Sequence, residues 1–192
     1  MSPLSLLLEQ VPEVARDLRL NLSAVLEADS LTTAQRWAVA VASAHAAGAP
    51  TLAHALVEGA RAAGVGEPAL EDARAAAAIM AMNTVYYRFR HMIGKPSYAE
   101  KPARLRMHRL GKPATTKADL ELMSLAVAAI HGCEMCVRAH EDVIVKAGLT
   151  EDQVHDAVRI AAVVRGVAQA LALGASIAEP IAEGPGNDFA TK

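Results

Sequence analysis

The stretch 116–148, TKADLELMSLAVAAIHGCEMCVRAHEDVIVKAG, contains two helical patterns in succession. Apolar residues recur in it at helical spacing, and the only helix breakers are glycines. The pattern predicts helices over 117–130 and 133–147, separated by Gly132 and closed by Gly148. This stretch therefore predicts a helical hairpin, with the two helices antiparallel across one glycine turn.

The rest of the chain has the same helical character. Hydrophobic residues make up 53% of the 192 residues, many of them alanine, and aromatic residues only 3%. Alanine favours helices, and its small side chain lets them approach closely. The alternation of Val, Ile, Thr and aromatic residues that is typical of strands is nearly absent. The sequence therefore predicts an all-α fold, with further helices at 4–17, 33–47, 50–63, 69–92 and 151–173.

The two halves of the chain resemble each other when one is shifted by 84 residues. Gly48 then falls on Gly132, and Gly64 falls on Gly148. This recurrence predicts two helical repeats within a single domain. The predicted parts of that domain, which spans 1–192, are a first repeat at about 30–95, a linker at 96–115, a second repeat with the active site at 116–178 and a tail at 179–192.

Composition excludes several classes of partner. The chain has 19 Lys and Arg against 21 Asp and Glu, a net charge of −2, so nothing draws it to nucleic acid or to an anionic membrane. No apolar run reaches the roughly 18 residues that span a bilayer. The first residues show no export signal. We expect a cytoplasmic protein that binds neither nucleic acid nor membranes.

The only two cysteines, Cys133 and Cys136, lie three residues apart at the start of the second helix of the hairpin. In a reducing compartment such a pair is more often catalytic or metal-binding than structural. Free N–H groups and the helix dipole stabilise a thiolate in the first turn. Cys133 is therefore expected to be the more acidic thiol, at an exposed helix end. The spacing places both sulfurs on one face, where a disulfide can close.

Three polar residues accompany this pair. His140 follows Cys136 by four residues on the same stripe, where its imidazole can take the thiol proton. Glu121 lies among apolar residues of the preceding helix, where a carboxylate needs a partner, and His140 is the expected one. His131, next to the motif, is a candidate modulator. In the first repeat the positions of Cys133, Cys136, His140 and Glu121 hold Ala49, Leu52, Leu56 and Trp37, so the scaffold does not require the polar set.

The same four residues also suit a metal site. Two cysteines, a histidine and a glutamate are ligand types that zinc accepts. A zinc-binding module that uses Cys133, Cys136, His140 and Glu121 is therefore an alternative to redox chemistry.

These residues resemble those of the alkyl hydroperoxidase D (AhpD) family, in the carboxymuconolactone decarboxylase-like superfamily. The diagnostic part is Glu121 followed by Cys133-x-x-Cys136-x-x-x-His140. The resemblance extends to the segments 16–22, 78–83 and 166–171. A bare pair of cysteines at this spacing would be far less specific.

The resemblance implies an all-helical subunit that assembles as a homotrimer. It implies an antioxidant thiol peroxidase or disulfide reductase, of the lipoyl-dependent peroxiredoxin type, that acts on alkyl hydroperoxides or on the peroxiredoxin AhpC. Cys136 would be the peroxidatic cysteine, Cys133 the resolving one, and Glu121 and His140 a proton relay. Electrons would come from a dihydrolipoyl group on a 2-oxoacid dehydrogenase component, with no cofactor bound to this chain.

One position departs from the family pattern. Met135 stands where the best-known members have a histidine between the cysteines. A thioether cannot relay protons, so the relay is expected either to be shorter or to include His131. A decarboxylase or isomerase of the wider superfamily is a further alternative, but its proton-transfer chemistry does not need two thiols.

Overall fold

The computed structural model describes residues 1–27 and 29–178, and this part of the chain forms nine α-helices and no strand. The prediction of an all-α fold is confirmed. The helices are α1 (Pro3–Leu8), α2 (Asp17–Leu26), α3 (Thr33–Ala46), α4 (Pro50–Ala62), α5 (Glu67–Ile93), α6 (Pro96–Ala99), α7 (Lys117–Ile130), α8 (Glu134–Lys146) and α9 (Glu151–Ala178), with short 3-10 turns at Glu13–Ala15 and His108–Gly111.

The core is built around α3 and α7, which pack against each other and share α5 and α9 as neighbours. Residues 38–44 of α3 are all buried, and so are residues 120–128 of α7. Most of the α3 segment is alanine, whose small side chain allows close helix packing. α8 packs mainly on α7, with smaller contacts to α5 and α9, so the predicted hairpin joins a core helix to an outer one.

The helices of the two halves have matching bounds. A shift of 84 residues moves Thr33–Ala46 onto Lys117–Ile130 and Pro50–Ala62 onto Glu134–Lys146. These matches agree with the repeat pattern in the sequence. The duplication and the domain boundaries remain predictions, and the tail at 179–192 lies outside the described residues.

The predicted helix 4–17 is wrong. α1 ends at Leu8, and the chain turns through Pro12, because proline has no N–H to donate and disfavours a helical residue before it. α2 was not predicted, since apolar and polar residues alternate over 18–22. Packing against α9, with Leu22 fully buried, stabilises α2 as a helix. The other six predicted helices are confirmed to within five residues at each end.

The segment predicted as a linker is tied to α5 by Asp72, whose side chain is fully buried. Its carboxylate accepts hydrogen bonds from Arg109 Nη2 (2.6 Å), the backbone N–H of Ala114 (3.0 Å), and the N–H and hydroxyl of Thr115 (2.8 and 2.6 Å). Burial alone raises the pKa of Asp72, but these hydrogen bonds lower it below its ordinary value of 3.8. The buried carboxylate therefore fixes the linker just before α7 begins at Lys117.

One helix reaches the length of a membrane span. By length and composition alone, Glu151–Ala175 within α9 is long and apolar enough to cross a bilayer. The sequence prediction concerned uninterrupted apolar runs, and Asp156, Arg159 and Arg165 interrupt this helix. α9 packs against α2, α3 and α7 and buries Ile160, Val164 and Val167 completely. A core helix passes the same test of length and composition, and a single such helix is weak evidence for a span.

Candidate active site

The turn between α7 and α8 fixes where the second helix starts. Gly132 adopts a left-handed conformation with φ of +65°, which glycine reaches without steric cost. Its N–H donates to the carbonyl of Ala129, and the N–H of Cys133 donates to the carbonyl of Ala128, each at 3.1 Å. This double hydrogen bond is the Schellman arrangement that closes a helix. Cys133 is thereby bound to the last turns of α7.

The two cysteines lie at the beginning of α8. Cys133 is the N-cap residue and Cys136 is in the first turn; their Cα atoms are 5.3 Å apart, and their sulfurs are joined as a disulfide. Cys133 is fully buried and Cys136 is 6% exposed. The expectation that Cys133 lies at an exposed helix end is wrong, because the glycine turn folds it back onto the core helix α7.

Glu121 lies on α7 and binds two hydrogen-bond donors, one on α8 and one on α7 itself. The residue is 7% exposed. Its Oε2 contacts His140 Nδ1 on α8, and its Oε1 contacts Lys117 Nζ, one turn earlier on α7. Burial alone raises the pKa of Glu121, but hydrogen bonds from His140 and Lys117 outweigh it and hold the pKa below the ordinary value of 4.5. The buried carboxylate is therefore ionised at neutral pH.

The contact with Glu121 orients the imidazole of His140. Because Nδ1 faces a carboxylate, which only accepts hydrogen bonds, the ring proton is assigned to Nδ1. Nε2 is then the basic nitrogen of the neutral ring. His140 lies one helical turn after Cys136, on the same face of α8. This arrangement can accept a proton from a thiol and hold it while Glu121 stabilises the imidazolium.

His131 is held on the side of α3 and α5. Its Nδ1 lies 2.9 Å from the hydroxyl of Thr84, and its Nε2 lies 3.3 Å from the carbonyl of Ala46. Its own carbonyl accepts a hydrogen bond from Arg88 at 2.5 Å. These contacts attach the end of α7 to α3 and α5 and occupy both ring nitrogens. The role of His131 as a modulator remains a prediction.

Sequence reasoning missed three residues around the site: Lys117, Thr84 and Arg88. A signal for Lys117 was present, since Lys and Glu four residues apart on a helix are neighbours. Thr84 and Arg88 are separated from His131 by 47 and 43 residues, so no local pattern connects them.

The four residues proposed as zinc ligands do not form a metal cluster. Within residues 1–27 and 29–178, no group of three or more His, Cys, Asp or Glu side chains is arranged to hold a metal ion. Cys133 and Cys136 are bonded to each other, and zinc binds thiolates rather than a disulfide. The zinc alternative is therefore not favoured.

Comparisons with known proteins find a matching family model and similar sequences. Residues 96–179 match the model of the carboxymuconolactone decarboxylase family. The chain is 62% identical over 174 residues to alkyl hydroperoxide reductase AhpD of Anaeromyxobacter sp. (strain Fw109-5), which covers 91% of this chain and 94% of that protein. It is 61% identical over 183 residues to AhpD of Anaeromyxobacter dehalogenans (strain 2CP-C), with 95% and 97% covered. It is 48% identical over 168 residues to AhpD of Methylobacterium sp. (strain 4-46), with 88% and 95% covered. The chain therefore belongs to the AhpD family, within the wider carboxymuconolactone decarboxylase family.

Proposed function

We propose that this protein is an antioxidant thiol peroxidase and disulfide reductase that acts on alkyl hydroperoxides, on the peroxiredoxin AhpC, or on both. One observation carries the proposal: the joined pair Cys133–Cys136 lies one helical turn from His140, which Glu121 holds in place. The names of the relatives, alkyl hydroperoxide reductase AhpD, support the same chemistry. A superfamily decarboxylase is not favoured, because proton transfer alone needs no redox pair.

The proposed oxidation uses Cys136 as the nucleophile. Nε2 of His140 takes the thiol proton, and the thiolate attacks an oxygen of the hydroperoxide. The O–O bond breaks, Cys136 becomes a sulfenic acid, and the imidazolium returns the proton to the leaving alkoxide. The thiol of Cys133 then attacks the sulfenic sulfur, water leaves, and the disulfide forms. Two cysteine thiols are oxidised for each hydroperoxide that is reduced to an alcohol.

The return step requires a dithiol from outside the chain. We propose a dihydrolipoyl group on a 2-oxoacid dehydrogenase component, which is oxidised to its cyclic disulfide, with no cofactor bound here. Cys136 is the more exposed cysteine, so a donor thiolate reaches it first. The leaving thiolate is then Cys133, which lies at the N-terminus of α8, where the helix dipole stabilises negative charge.

Because Met135 cannot relay protons, the relay was expected either to be shorter or to include His131, and we propose the shorter one. It consists of Glu121 and His140, because the ring nitrogens of His131 are engaged by Thr84 and Ala46. In this proposal His131 stabilises the end of α7 through its hydrogen bonds and carries no proton.

Oxidation of the reduced wild-type protein tests this function. Reduced, anaerobically purified protein treated with one equivalent of an alkyl hydroperoxide should lose two thiols per chain. Its mass should fall by two hydrogens, because the disulfide is intramolecular. Thiol titration and intact mass measure both. Stoichiometric zinc together with thiols that hydroperoxide leaves unchanged would contradict the proposal and favour the zinc module.

We further propose that the protein is a cytoplasmic homotrimer. The second half of α5 exposes Met82, Val85, Phe89 and Met92, which are 36%, 63%, 45% and 76% exposed. Their spacing of three, four and three residues forms one apolar seam along the helix, as in helices that pack against another helix. A seam of this kind supports burial against further copies of the chain.

Phe89→Glu should weaken this assembly, because it places a charge in the middle of the α5 seam. The molar mass from light scattering should fall from three chains towards one. Val14→Glu is the control, since Val14 is 89% exposed outside the seam, and it should leave the mass unchanged. A wild-type protein that is already monomeric, or a Phe89→Glu variant with wild-type mass, would contradict the assignment.

A further inference from the structure

Lys117 binds the oxygen of Glu121 that His140 leaves free. Nζ of Lys117 contacts Oε1, and it also donates to the carbonyl of Leu110 at 3.3 Å. Leu110 belongs to the 3-10 turn His108–Gly111, next to the linker residues that Asp72 holds. The lysine therefore bridges the linker and the carboxylate of the relay.

Helix stability does not account for a lysine at this position. Lys117 is the first residue of α7, and a cation at a helix N-terminus is opposed by the helix dipole. A lysine four residues before a glutamate is also the less favourable order for such a pair. The side chain of Lys117 is 52% exposed, whereas that of Glu121 is only 10% exposed. The contact therefore concerns the buried carboxylate rather than the helix.

Two side chains donate hydrogen bonds to the carboxylate of Glu121: Lys117 from α7 and His140 from α8. In the linker, Arg109 is engaged by Asp72 and Glu71. The carboxylate thus divides its negative charge between an ammonium and an imidazole. The more of this charge the ammonium balances, the less the carboxylate favours the imidazolium form of His140.

We propose that Lys117 is a positioning residue of the relay, which holds Glu121 by Oε1 and balances part of the charge that the carboxylate presents to His140. This inference rests on the proposed function. Without the ammonium, the whole charge of Glu121 acts on His140, and the imidazolium persists to higher pH. The fraction of neutral base at slightly acidic pH then falls, and the acidic limb of the rate profile moves to higher pH.

The test is the rate of thiol loss with an alkyl hydroperoxide, measured from pH 5 to pH 8.5 on the reduced full-length protein. Lys117→Met, which keeps the length of the side chain without its charge, should move the midpoint of the acidic limb up by about 0.5 to 1 pH unit. Lys117→Arg should restore the midpoint of the wild type.

Lys146→Met is the matched control. Lys146 is also paired with a carboxylate four residues away, Asp142, at 3.2 Å, but on the exposed surface of α8. It should leave the profile unchanged. An unmoved midpoint in Lys117→Met, or a loss of rate at every pH together with a lower melting temperature, would overturn the role of Lys117. A wild-type protein that loses no thiols would instead overturn the proposed function.

Discussion

The Cys136→Ser variant should consume no alkyl hydroperoxide above the rate of the buffer. The nucleophile in the proposed reaction is a thiolate, and a serine hydroxyl at the same place is neither ionised at neutral pH nor oxidised by peroxide. Cys133 remains in this variant, but it is fully buried, and its backbone N–H donates a hydrogen bond to the carbonyl of Ala128 on α7. Steady-state hydroperoxide consumption and a thiol count after one equivalent measure the loss.

Cys133→Ser is the matched control for this prediction, because it removes a thiol of the same size three residues away. Cys136 can still be oxidised in it, so one thiol should be lost and a sulfenic acid should form. A reagent that traps sulfenic acids, such as dimedone, would label it. A Cys136→Ser variant that lost its one remaining thiol and consumed hydroperoxide at the wild-type rate would contradict the assignment of the cysteines.

His140→Phe should slow hydroperoxide consumption by about 10² to 10⁴-fold while the protein stays folded. The phenyl ring fills the space of the imidazole but cannot take the proton of Cys136. The fold should persist because Glu121 keeps Lys117 as a partner. Leu56 on α4, 84 residues before His140, is fully buried, so the pair α3 and α4, whose bounds match those of α7 and α8, packs without a polar group at this position. Stopped-flow rates at neutral pH and a thermal melt give the two readouts.

His54→Phe is the control for His140→Phe. His54 lies exposed on α4, whose bounds lie 84 residues before those of α8, and its replacement should change neither rate nor stability. Glu121→Gln should slow the reaction in the same direction, and its effect should not add to that of His140→Phe, because the two side chains act as one unit. Unfolding of His140→Phe would instead make the histidine structural.

Much of the site could be predicted from the sequence because it is local. Cys133, Cys136 and His140 lie on one helix, so their spacing fixes their common face. The pairing of Glu121 with His140 could be predicted because α7 and α8 form a hairpin with a short turn at Gly132. Such a turn leaves few ways for α8 to return along α7. Lys117 was equally local but was missed, although its spacing from Glu121 indicated the contact.

The α2 region shows the opposite case. Its residues carry a weak helical signal. The helix buries Leu22 completely and is stabilised by packing against α9, which follows far along the chain. Pro12, by contrast, is a local signal, and the predicted helix 4–17 overlooked it.

The sequence alone determined the all-helical class, the glycine turns and the grouping of the redox pair with its proton acceptor, because helix periodicity and backbone handedness depend on residues close in the chain. The tertiary structure alone decided the burial of Cys133, the attachment of His131 to Thr84 and Arg88, and the anchoring of the linker by Asp72. Each of these depends on contacts between residues far apart in the chain, and only the packing of helices brings such residues together.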